Sequence, residues 1–182
     1  MTTSPVTLET ERLILRPWRK TDLEPFADLN ADPAVMRYFP APLDRADSDR
    51  LARRLEQKFA AQGWGWWAVE VRSGAPFIGF VGLNIPDYAD ELPFTPAFEI
   101  GWRLAKDHWR RGYAKEAATE VLRYAFEDLG REEVVSFTAA QNLPSQAVMQ
   151  AIGMTRDTSG DFDHPLLAPG HPLRRHVLYR KR

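Results

Sequence analysis

Apolar and polar positions along the chain fall into short blocks of differing period. Residues 12–16 alternate as a half-buried strand does, and Pro17 ends it or confines it to an edge. Thr21 then opens a helix, with Glu24 three residues on as capping-box partner and Leu23, Phe26 and Leu29 as buried face. Asp32-Pro33 restarts a short turn carrying Val35, Met36, Tyr38 and Phe39. A second helix over 46–62 sets Leu51, Leu55 and Phe59 four apart and stops at Gly63, which leaves Arg50, Arg53, Arg54 and Lys58 on a solvated face. Residues 64–71 and 77–85 read as antiparallel strands joined across Ser73-Gly74. Alternation in the first puts Trp64 and Trp66 on one face and Trp67 on the other.

Residues 86–96, with Pro86, Pro93 and Pro96 among several acids, form an exposed loop of a length that often shapes a site. The aromatic and branched run 98–104 is a buried strand. After it, Ala114, Ala117, Ala118, Val121, Leu122, Ala125 and Phe126 recur at offsets of three and four, one apolar stripe on a sheet-facing helix. Residues 134–139 are again strand, and strand, helix and strand in that order make a crossover with its two strands parallel. A short helix follows, with Pro144 in its first turn, Val148, Met149 and Ile152 inside and Gly153 at its end; residues 174–180 are the last strand. No repeat or low-complexity tract divides the chain, so one domain over 1–182 is expected.

Composition then narrows the chemistry. A net charge of −1 argues against a nucleic-acid surface. The absence of cysteine excludes disulfides, a zinc-thiolate site and a thioester on the protein itself. No apolar run approaches membrane-spanning length and the first residues lack a signal pattern, so the expectation is a cytoplasmic protein without a membrane partner. Asp161, Asp163, His164, His171 and His176 match no compact zinc spacing, and His164 and His176 are alternatively acceptor contacts.

Between the strand 98–104 and its helix lies Trp109-Arg110-Arg111-Gly112-Tyr113-Ala114, a basic turn of small residues with Lys115 beside it. Such a turn leaves the main-chain N–H groups between Trp109 and Ala114 unpaired at the positive end of a helix dipole, which suits an anion. The pattern Trp-x-x-Gly-x-Ala followed by Glu116-Ala117 resembles the pyrophosphate loop of GNAT acyltransferases, and Trp109 with Gly-Tyr-Ala-x-Glu-Ala resembles their RimJ/RimL-like branch. Asn142-x-x-Ser145, then a helix, then Gly153-Met154 resembles the family's next motif.

The resemblance covers most of the chain and implies a mixed α/β fold: a mostly antiparallel sheet of about seven strands, two of them parallel and splayed, flanked by helices. It implies acetyl-CoA as cosubstrate in the gap between the splayed strands. Main-chain groups of Trp102, Arg103 and Leu104 would meet the pantetheine, and the amides of Arg110, Arg111, Gly112, Tyr113 and Ala114, assisted by Lys115, the diphosphate. The acceptor would be an amine, on a small molecule or a protein N-terminus, attacking directly in a ternary complex; the protein would be a monomer or homodimer. An α-amine of pKa near ~8 is about a tenth neutral at pH 7, a lysine far less, so the demand for a base depends on the acceptor.

Glu99 is then the candidate base, or else an edge-strand carboxylate paired with an arginine. Ser145 is the candidate donor to the departing thiolate, or an ordinary first-turn serine, and Asn142 caps the helix or binds pantetheine or acceptor. Trp64, Trp66, Trp67, Tyr38, Phe39 and Tyr88 are core residues or walls of the acceptor pocket. The rival reading is a non-catalytic acyl-CoA sensor of the same fold; a mononucleotide site lacks its Gly-x-x-x-x-Gly-Lys-Ser/Thr motif.

Overall fold

In a computed structural model the described residues, 5–182, form one mixed sheet with helices on both faces. The elements are β1 (Leu8–Glu9), β2 (Leu13–Arg16), α1 (Leu23–Ala31), α2 (Arg45–Gln62), β3 (Trp66–Val71), β4 (Gly79–Asn84), β5 (Glu99–Leu104), α3 (Tyr113–Glu127), β6 (Val134–Ala139), α4 (Leu143–Ala151), β7 (Thr155–Asp163) and β8 (Arg175–Lys181). The eight strands lie in the order β1-β2-β3-β4-β5-β6-β8-β7, against about seven expected. All neighbours are antiparallel except β5 and β6, as the crossover through α3 requires. The parallel pairing is confined to Glu99 opposite Val135.

One face carries the large core, where α3 buries Ala117, Ala118, Val121 and Leu122 against Trp67, Val81, Ile100 and Leu104. On the other face α1 and α2 enclose Phe26, Leu55, Ala68 and Phe80. Further along, Leu92 and Phe94 of the 85–98 connection cover Val135, Phe162 and Leu178. Odd residues of β5 therefore face α1 and α2, and even ones face α3.

Three expectations are corrected. The first helical turn is not capped by Thr21, which is exposed; Asp22 accepts from the Arg19 N–H (2.7 Å), and the α-helix begins at Leu23. Asp22 is claimed instead by a buried ion pair with Arg16 (2.8 Å), whose Nε also reaches Glu70 (2.7 Å), tying β2 to β3 and to the start of α1. Trp64 packs with Phe98 in the α3-side core rather than beside Trp66, because strand pairing begins only at Trp66 and alternation does not extend back. Lys58 does not join a wholly solvated face, since its ammonium turns to Asp87 (2.5 Å). Two strands also went unread: β1, only two residues long, and β7, Thr-Arg-Asp-Thr-Ser-Gly-Asp-Phe-Asp, which is polar apart from buried Phe162 and is held by Arg156 on Asp161 and by Arg180 on Asp157 (2.7 Å).

Arg16 and Asp22 are 3% and 1% exposed, so losing one partner strands the other charge. Asp22→Ala should lower unfolding free energy by about 3–5 kcal/mol, read from urea denaturation.

Candidate active site

The main chain of β5 has two edges. Phe98 C=O accepts from Val135 N–H (2.9 Å), Ile100 C=O from the Ser136 hydroxyl (2.9 Å), and on the opposite edge Ala105 N–H donates to Ile78 (2.8 Å). Strand alternation then turns the groups of Trp102 and Leu104 toward β6, where no strand pairs with them among the described residues. Arg103, expected among the pantetheine contacts, has its main chain turned to Phe80 of β4 instead. Leu104 C=O is taken by the indole Nε1–H of Trp109 (2.7 Å), which leaves Trp102 N–H and C=O and Leu104 N–H on the open edge.

That edge leads to the basic turn. Arg110 (φ 60°) and Gly112 (φ 80°) both stand in the left-handed region, and the turn curls its amides to one side. Among the described residues none of the N–H groups from Arg110 to Lys115 has an acceptor. The expectation is narrowed at its first member, because Trp109 N–H donates to Lys106 (3.1 Å). From behind, Glu116 accepts from Thr10 Oγ1 (2.6 Å) and from Arg12 N (2.8 Å) and Nε (2.7 Å), while Arg12 Nη1 holds Arg111 C=O (3.0 Å). These contacts line a cleft of about 450 Å³ with Gly112, Lys115 and Thr119. A larger cleft of about 640 Å³ lies under the 85–98 connection and contains none of the expected site residues.

On the α1/α2 face, half-buried Glu99 stands opposite Asn84, with no arginine paired to it among the described residues. Burial pushes its carboxyl up to about 7, against the pull of the Asn84 amide and the Lys58 ammonium. Gly101, the next residue on this face, leaves room for the Trp66 ring, whose Cη2 would lie 2.7 Å from a Cβ there, and Glu99 Oε1 lies 3.8 Å from the same point. Burial, and secondarily Glu99, raises the Tyr88 phenol. The Tyr88 hydroxyl meets His164 Nε2 (3.1 Å), and the rings of His164 and His176 lie 4.7 Å apart. Burial lowers both histidines, His176 to about 4, so both are neutral at pH 7.

Asn142 is the N-cap of α4: its Oδ1 accepts from Ser145 N–H (3.3 Å), and its Nδ2 donates to Thr138 Oγ1 (2.9 Å) and Ser145 Oγ (3.0 Å). Its amide is thus spent inside the protein, while Ser145 accepts from it and keeps its own O–H to give. Asn84, Lys58 and the Tyr88–His164 contact escaped the sequence reading, because residues from α2, β4 and the two flanking connections meet only through packing.

The family model for the acetyltransferase (GNAT) domain matches residues 12–155. The chain belongs to the GNAT acetyltransferase family. It is 36% identical over 154 residues to the FsC-acetyl coenzyme A-N(2)-transacetylase of Aspergillus fumigatus, covering 82% of this chain and 65% of that relative's length. Among solved structures it resembles an acetyltransferase from Agrobacterium tumefaciens, with TM-score 0.78, 30% identity, and 100% and 97% of the two chains covered. The fold is shared with the microcin C7 self-immunity acetyltransferase MccE, solved with acetyl-CoA and AMP, at TM-score 0.74, 17% identity and 94% and 93% coverage. GNAT enzymes use acetyl-CoA as cosubstrate, and the residues here suit it: an open strand edge with main-chain donors and an acceptor for the amides of its arm, and bare turn amides for its diphosphate.

Two measurements follow. Gly112→Val forces a β-branched residue to φ 80° with Arg12 Nη2 3.3 Å from its Cβ, and should weaken acetyl-CoA binding about tenfold or more in calorimetry. Unchanged affinity would remove the turn from the cofactor site. Glu99 keeps in the fold a proton that its ordinary value of 4.5 would release, so stability falls as pH rises from there to about 7. The melting temperature of Glu99→Gln relative to the parent should climb across that window and level off above it.

Proposed function

We propose that this single GNAT domain moves the acetyl group of acetyl-CoA to the nitrogen of a primary amine, on a small molecule or a protein N-terminus, by direct attack in a ternary complex. The observation that carries this reading is the unpaired edge of β5, which runs from beside Glu99 to the bare amides of the turn. A thioester arm laid along it has its diphosphate on Arg110 to Ala114, with Lys115 beside them, its amides on Trp102 and Leu104, and its acyl end toward Glu99. The Trp109 to Ala117 pattern favours the RimJ/RimL-like branch, and the name of the Aspergillus relative specifies a nitrogen acceptor. A cytoplasmic monomer or homodimer suits this chemistry.

The amine nitrogen forms its bond to the thioester carbonyl carbon, and Glu99 takes the proton, directly or through one water. The C–S bond then breaks, with the electron pair going to sulfur. Ser145 donates to that thiolate, held in place by Asn142. With no cysteine in the chain, an acyl-cysteine intermediate is excluded.

Thiol release with a panel of amines separates this reading from a non-catalytic acyl-CoA sensor, for which no amine releases CoA above the background rate. Because Glu99 ionises near 7, turnover of the parent should rise through that pH. Glu99→Gln should be about 100-fold slower above pH 7, with the gap narrowing toward pH 5, where the parent too is protonated. A parent-to-variant ratio that stays constant with pH would remove Glu99 as the base.

A further inference from the structure

Arg103 is the inward-facing arginine of this molecule that lacks a counter-ion. Arg16 has Asp22 and Glu70, Arg156 has Asp161, and Arg180 has Asp157 and Glu133, whereas no carboxylate lies within ion-pair distance of Arg103 among the described residues. Its guanidinium is clamped between Phe39, 4.0 Å from the ring centroid, and Phe80, 5.3 Å away. A single hydrogen bond holds it, Nη1 to Asn30 Oδ1 (2.6 Å), and Asn30 is fixed in turn by donating to Ser48 Oγ (2.9 Å). Nε is buried without a partner, and Nη2 has none among the described residues. The residue is partly exposed and its Nη2 is not among the buried unpartnered atoms, so the clamp presents a pre-set fork rather than a sealed charge.

Leaving a desolvated guanidinium without an anion is costly unless a ligand supplies one. Burial alone already pulls this group down to about 10, with no carboxylate opposing the shift. Its position says which ligand. Arg103 shares with Glu99 and Gly101 the face toward α1 and α2, while Leu104 beside it faces α3, the helix that follows the basic turn. The fork therefore stands on the side from which an acceptor reaches Glu99. Glu99 and Arg103 stand four positions apart along the strand, so an acceptor joining them holds its nitrogen and its anion on the order of 10 Å apart.

We propose that Arg103 recognises a carboxylate on the acceptor, making the preferred substrates extended amino acids whose reactive nitrogen lies far from the acid group. This rests on the acetyltransferase reading of the same site. Phe39, 37% exposed on the connection ahead of α2, would cover the bound carboxylate and set the entry to the fork.

The test is calorimetric titration of the CoA-saturated protein with ω-aminooctanoate and with its methyl ester, which keeps the amine and chain length and deletes the charge. The acid should bind about tenfold or more tighter than the ester, and in Arg103→Gln the gap should shrink to within about twofold. Arg103→Lys, which keeps the charge without the fork, should fall between them. The melting temperature of Arg103→Gln should hold or rise, because an uncompensated charge has been removed; a fall of several degrees would make Arg103 a structural tie to α1 and overturn the proposal. Equal binding of acid and ester to the parent, or a gap that survives in Arg103→Gln, also overturns it. So does a loss of CoA affinity in that variant, which would assign the fork to the cofactor's phosphates. Thiol release by the parent chain judges the transfer reaction and does not enter this comparison, so the two readings fail separately.

Discussion

The constraint on which the rest depends is where hydrogen bonding between β5 and β6 stops. Both strands are fully paired on their outer sides, to β4 and β8, yet the ladder between them is confined to Glu99 opposite Val135. The Ser136 hydroxyl closes the junction by taking Ile100 C=O, a side chain doing what a strand would do one residue on. Past that point Trp102 N–H and C=O and Leu104 N–H have no protein partner among the described residues, a condition a fold sustains only where something else supplies the bonds. The cleft is therefore a product of sheet topology, not of a flexible edge.

The two sides of this cleft are electrostatically unlike. At the cofactor end, Arg110 and Gly112 in left-handed conformations and the start of α3 concentrate positive potential on bare amides. Near the reacting end, burial keeps groups uncharged or nearly so: His164 and His176 neutral, Tyr88 protonated, Glu99 poised near 7. In the proposed reaction, an amine brought here would lose water and meet a carboxyl able to take its proton at ordinary pH.

Much of this was legible along the chain because β5, α3 and β6 are strongly patterned. An apolar strand, a small-residue turn and a seven-residue stripe on one helix leave few alternatives, and the crossover rule supplies the parallel pair. What escaped did so for identifiable reasons. β7 is stabilised by ion pairs across a bulge and carries no hydrophobic alternation. Thr21 is the better cap by type, but the guanidinium of Arg16 required a buried carboxylate and Asp22 supplied it while accepting the turn's N–H. Trp64 precedes the ladder, so period two did not apply to it. The surroundings of Glu99 come from Lys58, Asn84 and Tyr88, and neither spacing nor composition brings such distant positions together.

Trp109 is 42% exposed, large and aromatic, which on a surface usually means little. Here its indole is bolted to the carbonyl of Leu104, so the basic turn and the last residue of the strand edge cannot shift independently. The two halves of the docking track act as one ruler of set length. In the proposed binding mode, a thioester on a carrier with a shorter arm, or without a diphosphate, would have to give up one half to engage the other, and so would reach Glu99 out of step. On that proposal, the choice of acyl donor would be written into a single tryptophan side chain at the end furthest from the chemistry.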